Sequence, residues 1–480
     1  MLEITPKLNS KDKDPLYIQL YKYLKGEILL GNIGALVKLP SIRGLSKTLG
    51  LSKNTIEAAY EQLIAEGYVK ARSRSGLYVE AIQKDSITSV KLPGQYPLEI
   101  AEHIISKYDF TSGQIDLDLF PFKDFQKILS RTVDREAKEL LSYGEHKGDY
   151  GLRVEIAKHL HYSRGVTSSP EQILISSGSQ QSLSMLSHII LKLHKIISGV
   201  NANIDSGYKD IAFEEPGYVG AKEVFNHFGF KVLPINLEED GLNLKLLKDT
   251  RAKLVYVTPS HQYPFGMVMP IGKRLELLQW AVDNCAYILE DDYDGEFRYR
   301  GKPVPSLQGL DTKERVIYLG SFSKSLMPSI RISYLILPKP LLNIYEESFK
   351  IYEQSVSRLM QKALEDFMKE GFWEKHLRKL RTSYKRKQEA LLYYVNKYLG
   401  DRVIVIGADS GLHILLEVKT NLREEELIQR ALGKGVVVKT IKSHYINPVF
   451  SPYPVIFIGF AGINLEDIPI GIKLLAESWF

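Results

Sequence analysis

The feature that most constrains the fold is an alternation, over residues 109–480, between short apolar segments and longer segments with helical periodicity. The apolar segments are three to five residues long and lie at Gln172–Ile175, Ile211–Phe213, Lys253–Val257, Tyr287–Leu289 and Val316–Leu319. Consecutive apolar positions in so short a segment are typical of a strand buried on both faces. The pattern predicts a doubly wound, mostly parallel sheet with helices on both faces. A small α+β subdomain is expected from about residue 339.

Residues 1–81 show a different pattern, with three short helices followed by two short strands. Asp14 is predicted to cap the first helix, and Ser41 and Ser52 precede the second and third. Alternating residues then indicate strands near 68–70 and 77–79, joined by a basic hairpin. This order predicts a winged helix-turn-helix. Residues 82–108 lack periodicity and contain several proline and glycine residues, so we interpret them as a linker between residues 1–81 and 109–480.

Composition sets the broad class of the protein. The chain has 480 residues, of which 44% are hydrophobic and 25% charged, which predicts two or three globular units. It has no apolar run of bilayer length and no signal-peptide pattern, so we expect a cytoplasmic protein that does not contact a membrane. Cys285 is the only cysteine, which excludes an intramolecular disulfide, and we expect it to be buried.

Charge is concentrated at the N-terminus. Residues 1–83 carry 12 Lys and Arg against 8 Asp and Glu, whereas the whole chain has a net charge of +6. A basic excess favours contact with phosphate groups, although a solvated basic surface would look the same.

A winged helix-turn-helix places the N-terminus of its third helix in the major groove of DNA. The candidate DNA-binding residues therefore lie at the starts of the second and third helices and in the hairpin: Arg43, Ser52, Lys53, Asn54, Thr55, Arg72, Arg74 and Gly76. The alternative is an ordinary small helical bundle with a basic surface, which periodicity does not distinguish. The partner expected from the first interpretation is operator DNA.

A second group of candidate functional residues lies about 270 residues downstream of the predicted winged helix-turn-helix. Lys324 follows one predicted strand in a turn of small residues, and Asp291 ends the preceding strand. Open α/β sheets bind ligands at the carboxyl ends of their strands, so both groups should meet at one edge. A lysine amine, a carboxylate and anion binders are what pyridoxal 5'-phosphate (PLP) requires.

An anion site accompanies these two residues. Ser179 and Gln180 open a helix directly after a strand, where free backbone N–H groups favour a phosphate. Ser321, Ser323 and Arg331 flank the lysine and would complete the site, with Arg331 binding in bidentate fashion.

Each of these residues, taken alone, can be explained without a cofactor. A single lysine is usually a surface cation, and the adjacent acids Glu290, Asp291 and Asp292 could form a solvated loop or a magnesium site. No phosphate-binding glycine-rich loop accompanies those acids, and we predict no metal.

Several strings together identify a family resemblance. Residues 39–76 closely resemble the winged-helix domain of the GntR family, and residues 109–480 resemble a fold-type I, class I aminotransferase. The fusion is similar to the MocR/GabR subfamily of PLP-dependent regulators. Its matching strings are Gly148–Arg153, Glu214–Tyr218, Thr258–Pro264, the Asp291 and Lys324 segments and Gly411–His413. The resemblance implies that Lys324 forms a Schiff base with PLP, Asp291 pairs with the pyridinium nitrogen, Tyr293 contacts the ring oxygen and Tyr218 stacks on the ring. It also implies a homodimer with exchanged heads.

The chain departs from the family at two positions. The GABA-responsive member has an arginine two residues after the tyrosine equivalent to Tyr218 and another after the strand matching residues 457–461; this chain has Gly220 and Gly462 there. Loss of these charge-assisted bonds would cost about 1.5–3 kcal/mol each for a carboxylate ligand. Three other residues could replace the charge: Lys222, Arg298 and His413.

These observations predict a transcription regulator that senses PLP itself, and hence vitamin B6 status, without productive transaminase turnover. The alternatives are a regulator that responds to an amino acid, amine or dipeptide, and a working aminotransferase using the same Lys324. A third alternative is a DNA-binding protein whose large domain only dimerises.

Overall fold

The computed structural model describes residues 4–6, 8–9, 12–72, 75–81, 107–111, 115–116, 118–199, 207–299, 304–447 and 451–480. The chain divides into two compact units, Met1–His103 and Ile104–Phe480. The division falls within the predicted linker, most of which lies outside the described residues. No helix in the described ranges is both long and apolar enough to cross a membrane.

The N-terminal unit is a winged helix-turn-helix, as predicted. Its elements are α1 Leu16–Leu30, α2 Ile42–Leu49, α3 Lys53–Ala65, β1 Val69–Arg72 and β2 Gly76–Val79, and the two strands pair antiparallel. Apolar residues at helical spacing on α1 and α3 pack with residues of the two strands in one buried cluster: Leu20, Leu24, Ile28, Ile56, Ala59, Tyr60, Leu63, Val69 and Val79. Ser52 caps α3 as predicted, and Ser41 caps α2, because each Oγ accepts a backbone N–H of the first turn.

The prediction for Asp14 was wrong. Pro15 occupies the N-cap of α1 and no side chain caps the helix, whereas Asp14 forms an exposed ion pair with Lys22 at 2.6 Å.

The second unit contains an eight-stranded, mostly parallel sheet of order β4-β11-β10-β9-β8-β5-β6-β7. The strands are β4 Ile173–Ser176, β5 Asp210–Glu215, β6 Lys231–Glu238, β7 Gly241–Leu242, β8 Leu254–Val257, β9 Tyr287–Asp292, β10 Val316–Ser321 and β11 Ser333–Ile336. All five predicted strands are present. The sequence pattern missed β6, where polar residues interrupt the apolar run, and β11, which pairs antiparallel with both β10 and β4.

Helices cover both faces of this sheet. They are α4 Phe122–Glu136, α5 Tyr150–Arg164, α6 Ser179–Ser198, α7 Val219–His227, α8 Leu244–Lys248, α9 Ile271–Asp283, α10 Leu307–Leu310, α11 Lys339–Ser348, α12 Arg358–Lys369 and α13 Phe372–Tyr398. Successive residues of β8 enter different cores: Leu254 and Tyr256 pack in one, and Val255 and Val257 in another. Burial on both faces explains why the strand is apolar throughout.

The C-terminal region forms a smaller antiparallel sheet of order β12-β13-β16-β15. Its strands are β12 Val403–Ile406, β13 His413–Val418, β15 Lys439–Thr440 and β16 Val455–Gly459, with helices α14 Glu424–Gly433 and α15 Ile468–Trp479. A two-residue strand at the start of the unit, β3 Tyr108–Asp109, pairs parallel with β14 Val436–Val437. The beginning of the unit therefore joins its C-terminal part, which local patterns could not reveal.

The expectation that Cys285 is buried was wrong. It lies exposed in the turn between α9 and β9, with a φ of 50°. The turn brings its backbone, rather than its side chain, to the core, where its carbonyl accepts a hydrogen bond from the Tyr208 hydroxyl at 2.6 Å.

Candidate functional site

The carboxyl ends of β9 and β10 meet at one edge of the large sheet. The two strands are parallel, with Asp291 opposite Leu319, so Asp291 and the Ser321–Lys324 turn lie beside each other. A cavity of about 280 Å³ opens there. Its walls include eight of the nine residues predicted to bind the cofactor: Ser179, Tyr218, Asp291, Tyr293, Ser321, Ser323, Lys324 and Arg331.

Gln180 is the ninth, and the structure does not bring it to the cavity. Its side chain is exposed on α6, because each residue of a helix is turned about 100° from the one before it. The next residue, Gln181, has the structural role: its Oε1 accepts hydrogen bonds from Ser177 N and Oγ and from Ser355 Oγ.

Asp291 is 7% exposed at the cavity wall. Its Oδ2 accepts a short hydrogen bond from the Tyr256 hydroxyl. Burial raises the pKa of Asp291 to about 7, although the Tyr256 hydrogen bond opposes the shift. A cation placed against this carboxylate, such as a protonated pyridine nitrogen, would offset the cost of burying its charge.

Lys324 presents its amine to the same cavity and is half-buried. Burial lowers the pKa of Lys324 below the usual 10.5, and the nearby Asp294 carboxylate opposes the shift. A lowered pKa increases the fraction of uncharged amine near neutral pH, and only the uncharged amine attacks an aldehyde.

An anion cradle lies at the start of α6. Gly178 precedes the helix with φ 92° and ψ 158°, and a Cβ there would lie only 2.7 Å from Arg331 Cζ. Glycine therefore lets the guanidinium approach the helix N-terminus closely. Ser323 N and Ser321 Oγ, joined by a 3.1 Å hydrogen bond, add polar groups from the lysine turn. Oriented N–H groups, hydroxyls and an arginine suit a phosphate.

Two tyrosines form further parts of the wall. Tyr218 lies edge-on to Tyr263, with ring centroids 6.1 Å apart. Tyr293, predicted to contact the ring oxygen of the cofactor, lines the cavity, and its hydroxyl forms a 2.8 Å hydrogen bond with His261 Nδ1. The same Nδ1 lies 2.9 Å from Asp294 Oδ2, so His261 orients both side chains. His261, Tyr256 and Asp294 were absent from the predicted set, although His261 belongs to the Thr258–Pro264 string.

The three adjacent acids of β9 have three separate functions, which excludes the magnesium alternative for this segment. Asp291 faces the cavity, whereas Glu290 accepts the backbone N–H groups of Leu307 and Gln308 at 2.8 and 2.9 Å. Asp292 forms a buried ion pair with Arg164 at 2.6 Å. The last two carboxylates hold the end of the strand in place and do not converge on a common ion.

None of the three residues proposed to replace the missing arginines presents a free charge in this cavity. The Lys222 ammonium is buried and bonded to Glu215 Oε2 at 2.8 Å. Arg298 is not among the residues that line the cavity. His413 does line it, but burial lowers its pKa well below 6.5, and the nearby His261 adds to the shift; the ring is therefore uncharged at neutral pH.

Gly220 lies directly beside the Tyr218 side chain. A Cβ at this residue would lie 2.6 Å from the Tyr218 hydroxyl oxygen and 2.7 Å from its Cζ. The Tyr218 side chain thus occupies the space beside Gly220, and a larger residue would displace it.

Of the DNA-binding candidates that the structure describes, all except the half-buried Thr55 are exposed. Lys53 and Asn54 are exposed in the first turn of α3, and Arg43 is exposed in the first turn of α2. Ser52 Oγ accepts the Thr55 N–H at 3.2 Å, so this hydroxyl caps the helix.

In the wing, the Arg72 guanidinium lies 4.6 Å from the centre of the Tyr78 ring. Gly76 has a φ of 116°, and a Cβ would approach Lys38 Cε at 2.8 Å. Arg74 lies outside the described residues.

Comparison with known proteins decides the family. Residues 16–79 match the model for bacterial regulatory proteins of the gntR family, and residues 105–453 match the model for aminotransferase class I and II. The chain is 33% identical over 484 residues to the probable rhizopine catabolism regulatory protein MocR of Rhizobium meliloti, covering 98% of this chain and 95% of the relative. The chain belongs to the MocR/GabR-type regulators. It is a DNA-binding, HTH-type transcriptional regulator with an aminotransferase-like domain.

Two further similarities support this assignment. The uncharacterized HTH-type transcriptional regulator YdeL of Bacillus subtilis is 41% identical over 479 residues, with all of both chains covered. LysN, the α-aminoadipate aminotransferase of Thermus thermophilus, crystallised with N-(5'-phosphopyridoxyl)-L-leucine, matches with a TM-score of 0.66 and 26% identity, covering 79% of this chain and 94% of that chain. The predicted family and fold class are thereby confirmed.

Proposed function

We propose that this MocR-type regulator binds PLP through Lys324 and changes its affinity for operator DNA in response, so that transcription follows vitamin B6 status. The observation that carries the proposal is the convergence of Lys324, Asp291 and the Gly178–Arg331 cradle on one cavity. A relative supports the same reading: the pyridoxine biosynthesis regulator PdxR of Corynebacterium glutamicum is 30% identical over 471 residues, covering 96% of this chain and 95% of the relative.

When bound, PLP supplies an aldehyde that condenses with a lysine amine and releases water. The residues of this chain have separate parts in holding it. The half-buried Lys324 amine provides the attacking lone pair, and Asp291 provides the negative charge for the pyridine nitrogen. Ser179, Ser321, Ser323 and Arg331 would bind the phosphate, and Tyr218 would pack against the ring, adding about 1 kcal/mol beyond burial.

A change in the large unit must alter DNA binding for regulation to occur. PLP shifts the balance between two arrangements only by the difference in its affinity for them. We propose a homodimer with exchanged heads in the cytoplasm, in which this shift sets the spacing of the two winged helices and hence the half-sites engaged together. Sedimentation of the full chain with and without PLP tests the dimer.

We further propose that the protein lacks productive transaminase turnover, because Gly220 and Gly462 offer no arginine for the substrate carboxylate. Sustained keto-acid formation from an amino-acid donor would contradict this.

The central test combines borohydride reduction, peptide mapping and operator binding on the full chain. Reduction after PLP addition should trap the cofactor on the peptide containing Lys324. An operator selected from random duplex DNA should then bind with an affinity that changes with PLP. Lys324→Ala should abolish both trapping and the response to PLP, whereas Lys313→Ala, at an exposed lysine, should change neither. An unaltered PLP response in Lys324→Ala would instead favour a large domain that serves only as a scaffold.

A further inference from the structure

The exposed face of α13 carries a row of cations that belongs to neither predicted site. The opposite face of this helix is buried in a core of the second unit, through residues such as Trp373, Leu380 and Leu391. Four exposed basic residues at helical spacing form the row: Lys375, Arg378, Lys379 and Arg386. Because an α-helix rises 1.5 Å per residue, this basic row is about 17 Å long.

The basic row lines a groove of about 580 Å³. Leu119 and Leu465, from two other segments of the same unit, also line it, so the row lies in a concave surface. Lys387 contributes a fifth cation to the walls, and no carboxylate of the described residues lines the groove. Charges of both signs are usually interspersed on a protein surface, which makes a groove with cations alone a candidate binding surface for an anion.

The charges of the basic row are not neutralised by neighbouring acids. Lys387 is buried and pairs with Asp116 at 2.7 Å, so its charge serves the fold. Lys385, on the same helix but outside the groove, pairs with Glu389 at 3.9 Å. The four residues of the row form no ion pair within the described part of the chain. Like charges so close together repel one another, and an anion bound among them would relieve the repulsion.

Arg378 is oriented by its own helix. Its Nε donates a hydrogen bond to the backbone carbonyl of Glu374, one turn earlier, at 3.3 Å. The Glu374 carboxylate lies 3.7 Å from His159 Nδ1. The guanidinium is therefore held in place by a neutral carbonyl and keeps its charge available to a ligand.

The phosphate backbone of DNA fits this surface. The chain is a DNA-binding regulator with a gntR-family head, so any DNA held by the head reaches the rest of the chain at a high effective concentration. A duplex of about 17 Å carries about five phosphates on each strand, at 3.4 Å per phosphate, which is enough to engage the whole row. Arginine and lysine are the main side chains that contact phosphate oxygens in protein–DNA complexes.

We propose that the α13 groove binds the phosphate backbone of DNA beyond the base pairs read by the winged helices. It adds a sequence-independent contact to the specific one and requires neither PLP nor Lys324. Phosphate contacts carry no sequence information, so the groove raises the affinity for every duplex by the same factor.

The test measures DNA binding by the full chain at several salt concentrations, with and without PLP. The probes are the selected operator, in a duplex that extends well beyond the selected base pairs, and a scrambled duplex of equal length. Each phosphate contact contributes about 0.9 to the slope of log affinity against log salt. The double variant Arg378→Gln with Lys379→Gln should therefore lower the slope by about 2. It should weaken binding of both duplexes about 10- to 100-fold at about 0.1 M salt and leave their affinity ratio unchanged.

Two further double variants serve as controls. Lys313→Gln with Lys419→Gln removes the same two charges at exposed lysines outside the groove and should keep the wild-type slope. Arg378→Lys with Lys379→Arg retains both charges in the groove and should keep most of the slope. An unchanged operator-to-scrambled ratio shows in each variant that the heads still fold and read their site.

Three results would overturn the proposal. If Arg378→Gln with Lys379→Gln keeps the wild-type slope, the groove does not contact DNA, and a different polyanion such as an acidic protein segment becomes the better partner. If the control Lys313→Gln with Lys419→Gln lowers the slope equally, net charge rather than the groove is responsible. If only the operator is bound more weakly, the effect arises in the specific contact. A missing response to PLP contradicts the proposed function alone, because the difference in slope is expected in both states.

Discussion

Gly178→Ala tests whether the start of α6 is an anion cradle. The residue has φ 92° and ψ 158°, a region that is open almost only to glycine. The added methyl group would lie 2.7 Å from Arg331 Cζ and 3.3 Å from its Nε. The guanidinium must therefore move away from the helix N-terminus.

Gly178→Ala should lower both the stability of the protein and its affinity for PLP, and the two effects can be measured separately. Backbone strain should lower the free energy of unfolding by about 1–3 kcal/mol. Displacement of Arg331 should remove one charge-assisted interaction with the PLP phosphate, worth about 1.5–3 kcal/mol, which corresponds to an affinity loss of about 10- to 100-fold.

Gly199→Ala is the matched control at the other end of the same helix. Gly199 has φ 59° and ψ −149°, and no atom of the described residues lies within 4 Å of its added Cβ. It should lose comparable stability but keep wild-type PLP affinity. PLP affinity is measured by absorbance titration and stability by denaturant unfolding. Equal PLP affinity in the two variants would refute the cradle and its assignment to phosphate.

Three further predictions concern other parts of the chain. Burial lowers the pKa of His444 to about 4, so the stability that the neutral ring contributes is complete above pH 6.5 and is lost as the pH falls towards 4. In the wild type this loss should lower the free energy of unfolding by about 3 kcal/mol, and in His444→Gln it should be absent. Unfolding measured at several pH values tests the difference. Gly220→Ala should displace the Tyr218 ring and weaken PLP binding about fivefold in a titration, the loss of roughly 1 kcal/mol of ring packing. Ser52→Ala should remove the hydrogen bond to Thr55 N, lower the stability of the head by about 0.5–2 kcal/mol in thermal unfolding, and weaken operator binding.

Each of these has an outcome that would contradict it. Parallel stability curves for the wild type and His444→Gln between pH 7 and 4 would mean that the histidine is not held neutral. For Gly220→Ala the control is Gly272→Ala, where no atom of the described residues lies within 4 Å; equal PLP affinities would place the Tyr218 ring outside the cofactor site. For Ser52→Ala, unchanged stability would show that the cap contributes nothing to the head.

The sequence by itself determined the elements whose signals are local. Serine caps before α2 and α3, helical spacing on α1 and α3, and apolar runs such as Lys253–Val257 depend on interactions within a few residues, so they could be identified without the fold. The strand ends that carry Asp291 and Lys324 could also be placed at one sheet edge, because parallel strands end on the same side. β11 lies between β10 and the distant β4, and β3 pairs with the distant β14, so neither strand was identified from a local pattern.

Only the tertiary structure decided what each charged group does. Glu290, Asp291 and Asp292 are adjacent in the chain, yet one caps a helix, one faces the cavity and one pairs with Arg164. The uncharged state of His413 and the lowered pKa of Lys324 depend on burial and on neighbours far away in the chain. Burial and proximity set protonation and ligand contact, and neither quantity is encoded in any local segment.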